Sequence, residues 1–230
     1  MRIVAIVPAF QNESMIGSTV AALLGDSRLA EVIVVDDGSS DGTASMAEAA
    51  GARVMRVPDN VGKGGALERA LDVLGETEVV LLVDADTGTS AQQVIGLVKH
   101  IESGQADMVV GVLPSAGGKG GFGLVRRLAS FLIKSITGFE SRAPLSGQRA
   151  IRAVLLHDCR PLARGFGVDS ALTADAVSRG YRVLEVDVSM THSHRGRRIS
   201  GFSHRARQGR DILAALFPRV LERGRTRDHK

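Results

Sequence analysis

Cysteine is almost missing from the 230-residue chain: Cys159 stands alone, so no internal disulfide can form, and no Cys/His spacing matches a structural zinc site. A reducing cytoplasm is the compartment this implies. Aromatics make up 3% of the residues and tryptophan is absent, which argues against a jelly roll or propeller. The same scarcity leaves little for base stacking along a nucleic acid. Long apolar runs are missing too. No stretch approaches the roughly 18 residues of a spanning helix, and the opening "MRIVAIVPAF" stops at a proline. A protein neither secreted through a signal peptide nor integral to a membrane is expected.

What the chain does have is glycine, 27 residues of it, and a hydrophobic content of 44%. Its length suits one compact domain over residues 1–230, with strands of Val, Ile and Leu. The runs at 2–7, 31–35, 52–57, 78–83 and 106–112 predict buried strands, and helical patterns lie between them near 14–24, 41–50, 62–74 and 90–103. Ser90 with Gln93 reads as a capping box for the last of these helices, and Ser40 or Asp41 as an N-cap for the second. Such alternation implies an α/β fold with a mostly parallel, doubly wound sheet. Residues 114–123 read as a mobile glycine-rich loop, 124–139 as an amphipathic helix with a basic back, 167–180 as a helix, 181–190 as a strand, and 204–224 as a helix kinked or broken at Pro218. Residues 1–113 form the candidate donor half and 114–230 the acceptor half.

Polar clusters follow the first four strands: "PAFQNE", "DDGSSDGT", "DNVGKGG" and "DADTGT". In a parallel sheet all four project from one rim, where ligands of open α/β sheets bind. Asp84 and Asp86 are the most informative pair, since two carboxylates one residue apart raise each other's pKa and a divalent cation resolves the conflict. Mg²⁺ or Mn²⁺, held by one or two carboxylates and completed by phosphate oxygens, fits that pattern. A helix cap beside a solvated aspartate fits it as well. Asp36 and Asp37 offer acceptors for base or ribose groups, or simply an Asx turn. Lys63, among glycines at a helix start, suits a phosphate or base edge, or only a capped start.

Taken together, "IVPAF", "VIVVDDGSSDGT", "NVGKGGAL", "LLVDADT", "LSGQRAIR" and "GFGVDSALTADAV" resemble family 2 glycosyltransferases with the GT-A fold, in order and spacing, over nearly the whole chain. The likeness is greatest to polyprenyl-phosphate sugar synthases and extends to glucosyl-3-phosphoglycerate synthases. The resemblance implies a sugar moved from a nucleoside diphosphate, UDP or GDP, to an acceptor such as a polyprenyl phosphate. It implies that Pro8, Ala9 and Phe10 line the nucleobase pocket, that Asp37 binds base or ribose, and that Lys63 sits near the base. Asp84, Ala85 and Asp86 match the family's DxD motif, with Asp86 and Asp84 at the metal. The family usually shows "PAYNE", whereas here Gln11 and Asn12 fall under its Asn and Glu, with Glu13 one position late. Ser146, Gly147, Gln148 and Arg149 would line the acceptor site, and Asp169 stands where inverting members carry a general base. His192, or after it His194, would complete the metal shell. Arg195 and Arg205 would meet phosphate.

Two other classes compete. "LLVDADTGT" also resembles the nucleophile motif of haloacid-dehalogenase-like phosphatases, with Asp84 attacking phosphorus. From Arg195 to Lys230 eleven Lys and Arg face three acids, so a nucleic-acid or anionic-surface binder is the other. The acidic remainder of the chain opposes nucleic acid, and peripheral contact with the inner face of a membrane is the expectation for the tail.

Overall fold

The computed structural model describes residues 1–114, 122–190 and 203–227. Four β-branched runs form parallel strands: β1 (Ile3–Ala9), β2 (Leu29–Asp37), β3 (Arg53–Val57) and β4 (Val79–Leu82). With β5 (Met108–Val112), β6 (Arg149–Arg152) and β7 (Val183–Asp187) they make a seven-stranded sheet of order β3-β2-β1-β4-β6-β5-β7. Only β6 runs against its neighbours. Side chains alternate between faces along each strand, as the two-residue period demands. Ala5 and Val7 of β1 enter one apolar layer with Ile16, Val20 and Leu23 of α1 (Glu13–Leu24), whereas Val4 and Ile6 enter the other with Leu67 and Leu71 of α3 (Gly62–Leu71). The result is one α/β domain with a mostly parallel sheet between two helical layers, as the sequence implies.

The remaining helices are α2 (Thr43–Ala49), α4 (Gln92–Ile95), α5 (Val98–Glu102), α6 (Phe122–Thr137), α7 (Ala153–Asp158), α8 (Val168–Ser178) and α9 (Ser203–Arg227). A third apolar cluster, with Ala129, Ile133 and Ile136 of α6, Ala174 of α8, and Ile212 and Leu216 of α9, joins the helices of the second half. Arg219 fastens α9 to α8 through both oxygens of Asp175, at 2.6 and 2.5 Å.

Several local expectations fail for physical reasons. The capping box at Ser90 does not form, because the Ser90 hydroxyl donates to the Thr87 carbonyl, 2.7 Å away, inside a 3₁₀ turn over Gly88–Ala91. The 90–103 helix is divided at Gly96 and Leu97 into α4 and α5. The N-cap of α2 is Gly42, not Ser40 or Asp41, and Asp41 sits one residue earlier, where its carboxylate accepts the Thr43 N–H at 3.1 Å. Pro218 lies inside α9 without ending it. Residues 115–121 of the glycine-rich stretch lie outside the described residues.

Helix α3 and the 163–165 segment pack backbone to backbone. A Cβ at Gly64 would lie 1.9 Å from the Ala163 carbonyl oxygen and 2.9 Å from its carbon. Neither atom can swing aside. Gly64→Ala is therefore expected to cost about 1–3 kcal/mol of stability, as overpacking does. Urea denaturation reads this directly, and an unchanged midpoint would show that the two segments do not meet as described.

Candidate active site

The carboxyl ends of β1 to β4 bring their polar loops to one rim, as expected. Next to β4 runs the reversed strand β6, whose Arg149 pairs with Leu82 at the end of β4. Antiparallel pairing thus sets the residues that precede β6 against those that follow β4. Gln148 donates its Nε2 proton to Asp84 Oδ2 at 2.9 Å. Gly147 presses so closely on this corner that a Cβ there would lie 2.2 Å from Asp84 Oδ1 and 2.4 Å from Lys63 Nζ.

Lys63 occupies the centre. Its ammonium donates to Asp84 Oδ1 at 2.8 Å and to Asp169 Oδ2 at 2.9 Å. The sequence reading set Lys63 beside a nucleobase, whereas the fold sets it between two carboxylates. Burial opposes the ammonium charge, but Asp169 and Asp84 outweigh it and hold the Lys63 pKa above its ordinary range. Asp169 is buried at the start of α8, and burial pushes its carboxyl up against the pull of Lys63 and Arg149. Its Oδ1 has no hydrogen-bond partner, and the Arg149 Nε lies 3.9 Å away.

Asp84 and Asp86 are half-buried, and the turn that carries them is fixed from below. Thr19 of α1, itself fully buried, donates to the Ala85 carbonyl at 2.9 Å and accepts the Gly88 N–H at 2.9 Å. Thr87 donates to the Asp84 carbonyl at 2.9 Å. The sequence reading missed Thr19, whose only signal is a hydroxyl on the apolar face of a helix.

The quartet named for the acceptor site lies at this same corner, with Gln148 and Gly147 against Asp84. Ser146, Gly147, Gln148 and Arg149 are all buried, because β6 lies in the middle of the sheet. The Arg149 guanidinium is held by the Ser146 carbonyl at 2.8 Å and Thr173 Oγ1 at 2.9 Å, so it supports the corner from behind. Asp37 is buried as well, and its two oxygens accept the N–H groups of Val61 and Gly62, each at 2.8 Å. It anchors the loop that presents Lys63. Asp36 takes the turn role, accepting the Ser39 N–H at 3.1 Å.

At the first strand, Pro8 is half-buried, Ala9 buried and Phe10 exposed on the rim. The Asn12 N–H donates to Thr43 Oγ1 at 2.7 Å, and Glu13 Oε2 accepts the Gly42 N–H at 3.2 Å. Both therefore lace the first loop to the second. His192, His194 and Arg195 lie outside the described residues, and so does the Arg205 side chain.

A divalent cation fits this corner. Among the described residues no cluster of three or more His, Cys, Asp or Glu could hold a metal by itself. Asp84 and Asp86 at the β4 exit supply the hard oxygen donors that Mg²⁺ accepts when phosphates complete its shell. The orphaned Gln148 Oε1 and Asp169 Oδ1 nearby show a polar corner whose hydrogen-bonding capacity the protein does not fill.

A mostly parallel sheet with acidic, glycine-rich loops at one rim and a reversed strand beside the acid pair defines a nucleotide-binding α/β protein of the GT-A type. Residues 4–169 match the model of glycosyl transferase family 2, and the chain belongs to that family. It is 30% identical over 190 residues to glycosyltransferase AglJ of Haloferax volcanii, covering 80% of this chain and 61% of that protein. It is 31% identical over 240 residues to glucosyl-3-phosphoglycerate synthase of Mycolicibacterium paratuberculosis, covering 93% and 71%. The crystal structure of the Mycobacterium tuberculosis glucosyl-3-phosphoglycerate synthase with phosphoglyceric acid superposes with a TM-score of 0.81 at 27% identity, over 95% of this chain and 80% of that one. The same enzyme with Mg²⁺ and uridine diphosphate gives 0.80 at 28% identity, over 95% and 79%. Neither the phosphatase nor the nucleic-acid reading finds support among these relatives. Asp84, moreover, leaves the fourth strand of the chain, whereas the phosphatase nucleophile follows the first.

Proposed function

We propose that the protein is a metal-dependent glycosyltransferase that moves a sugar from a uridine diphosphate donor to a phosphate-bearing acceptor. The observation that carries this reading is the Asp84–Lys63–Asp169 constellation beside Asp86 at the exit of β4. Uridine is preferred to guanosine because the structural neighbours were solved with it. Mg²⁺ or Mn²⁺ held at Asp86 and Asp84 would stabilise the charge that develops on the leaving diphosphate. Asp169 would take the proton of an acceptor hydroxyl, or orient an acceptor that is already an ionised phosphate. Phosphoglyceric acid is the first acceptor to test, because a structural neighbour holds it with UDP-glucose and Mn²⁺. A polyprenyl phosphate is the second.

Thermal melting with UDP, GDP, CDP and dTDP, each with and without Mn²⁺, tests the donor. UDP with Mn²⁺ is expected to raise the melting temperature by several degrees, corresponding to about 3 kcal/mol at a hundredfold excess over Kd, and neither alone is expected to match it. A flat response to all four nucleotides would remove the reading.

An anionic membrane surface is the second partner. Among the described residues no helix is long and apolar enough to cross a membrane. Leu124 and Phe131 of α6 and Leu213, Phe217 and Leu221 of α9 are exposed, on helices that also expose Arg126, Arg127 and Arg210. Helices that expose both apolar and basic side chains suit anionic lipid. Flotation with vesicles containing phosphatidylserine should recover the protein at low salt and release it at high salt. Its absence from the floating fraction at low salt would refute this contact.

A further inference from the structure

We infer that Lys63 is a resident counter-cation of the donor site, holding Asp84 and Asp169 together and keeping divalent metal out until a nucleoside diphosphate arrives with it. The inference rests on the transferase reading above and adds an order of assembly to it. Both oxygens of Asp84 are engaged by the protein itself, Oδ1 by the Lys63 ammonium at 2.8 Å and Oδ2 by the Gln148 amide at 2.9 Å. A dication approaching Asp84 therefore meets a positive charge in contact with its own ligand.

Charge makes the same point. Among the described residues, Asp84 and Asp169 are the carboxylates paired with Lys63, and the Arg149 guanidinium lies 3.9 Å from Asp169, two negative groups against two positive, so this part of the corner lacks the excess of negative charge that a lone dication needs. A diphosphate supplies that excess, and its oxygens also give the ammonium a new partner. Lys63 is well placed for such an exchange. Its stem rises from the first turn of α3, whose loop is fixed by Asp37, and its side chain is 16% exposed. The backbone of Gly147 closes one side, and Asp169 remains as an anchor 2.9 Å away when Asp84 is released. Metal and nucleotide then bind with positive coupling, each raising the affinity for the other by the same factor.

The test is Mn²⁺ binding followed by the electron paramagnetic resonance of the free ion, with and without saturating UDP. Wild-type protein is expected to bind Mn²⁺ at least about tenfold more tightly with UDP than without it. Lys63→Met, which removes the competing charge, should bind Mn²⁺ alone about tenfold more tightly than wild type and lose most of the coupling. Lys63→Arg should keep the wild-type pattern. Asp169→Asn keeps the ammonium but removes a negative charge, so it should weaken binding of Mn²⁺ alone, and this arm stands if Lys63→Met does not fold. A Lys63 that served only to brace the fold would give weaker metal binding in Lys63→Met, not tighter. Unchanged or weaker binding of Mn²⁺ alone by Lys63→Met overturns the inference, as does tighter binding by Asp169→Asn. If wild type binds Mn²⁺ with none of the four nucleotides, the transferase reading itself has failed. Coupled binding in wild type that survives in Lys63→Met defeats only the role given to Lys63.

Discussion

Asp86→Ala is expected to lower sugar transfer by a factor on the order of 10³ or more while leaving the fold in place. Asp86 sits half-buried in the turn after β4, where the strand delivers it to the ligand-binding rim. The turn keeps its shape through Thr19 and Thr87, which hold the Ala85 and Asp84 carbonyls and the Gly88 N–H. Replacing this half-buried carboxylate should change the melting temperature by no more than about 2 °C, while removing a charge proposed to hold the metal against the leaving diphosphate. The measurement is release of UDP from UDP-glucose with phosphoglyceric acid and Mn²⁺, beside a thermal melt of the same preparation. Activity within about tenfold of wild type, at an unchanged melting temperature, would remove Asp86 from the metal site.

Gly147→Ala is expected to damage the same corner from the opposite side. The added methyl would stand 2.2 Å from Asp84 Oδ1, 2.6 Å from Asp84 Oδ2 and 2.4 Å from Lys63 Nζ, so the ion pair must move. Displacing catalytic groups by about 1 Å costs on the order of 10²-fold in rate, and overpacking costs about 1–3 kcal/mol of stability. Gly111→Ala is the matched control, since its Cβ would approach Val188 Cγ2 at 3.3 Å and Gln148 Cβ at 3.4 Å without reaching the ion pair. Turnover of the two variants under saturating donor should differ by more than tenfold. Equal turnover would mean that the Gly147 backbone does not shape the site.

The strands β1 to β5 and β7 were legible because their residues are β-branched and bounded by turn formers. The strand β6 was not. Its four residues, "RAIR", carry charge at both ends, and nothing local reveals that Arg149 is fully buried against Ser146 and Thr173. The resemblance placed Gln148 and Gly147 at the site, but missing β6 hid their contact with Asp84, which antiparallel pairing with β4 brings about. The acid pair, Asp169 and Lys63 were readable as motifs, but the ion pairs made by Lys63 were not. Its contact with Asp169 spans more than a hundred positions of sequence and depends on the 163–165 segment lying against Gly64, which no pattern of spacing records. Asp37 shows the same limit: the sequence identifies a carboxylate at a strand end, and only the fold shows its oxygens committed to Val61 and Gly62.

The pairing of β5 with β6 has one more consequence. Val110 lies opposite Arg149, and the Gly111 N–H donates to the Gln148 carbonyl at 2.8 Å. The polypeptide therefore leaves the sheet after Val112 and returns beside its own point of departure, so the whole excursion through α6 is a detour with its two feet tied together. Closure of such a detour grows costly only slowly with length. Insertions, deletions or a graft from another family member can alter its span, subject to the packing of α6 on α8 and α9, without shifting the register of the strands that carry the acidic rim.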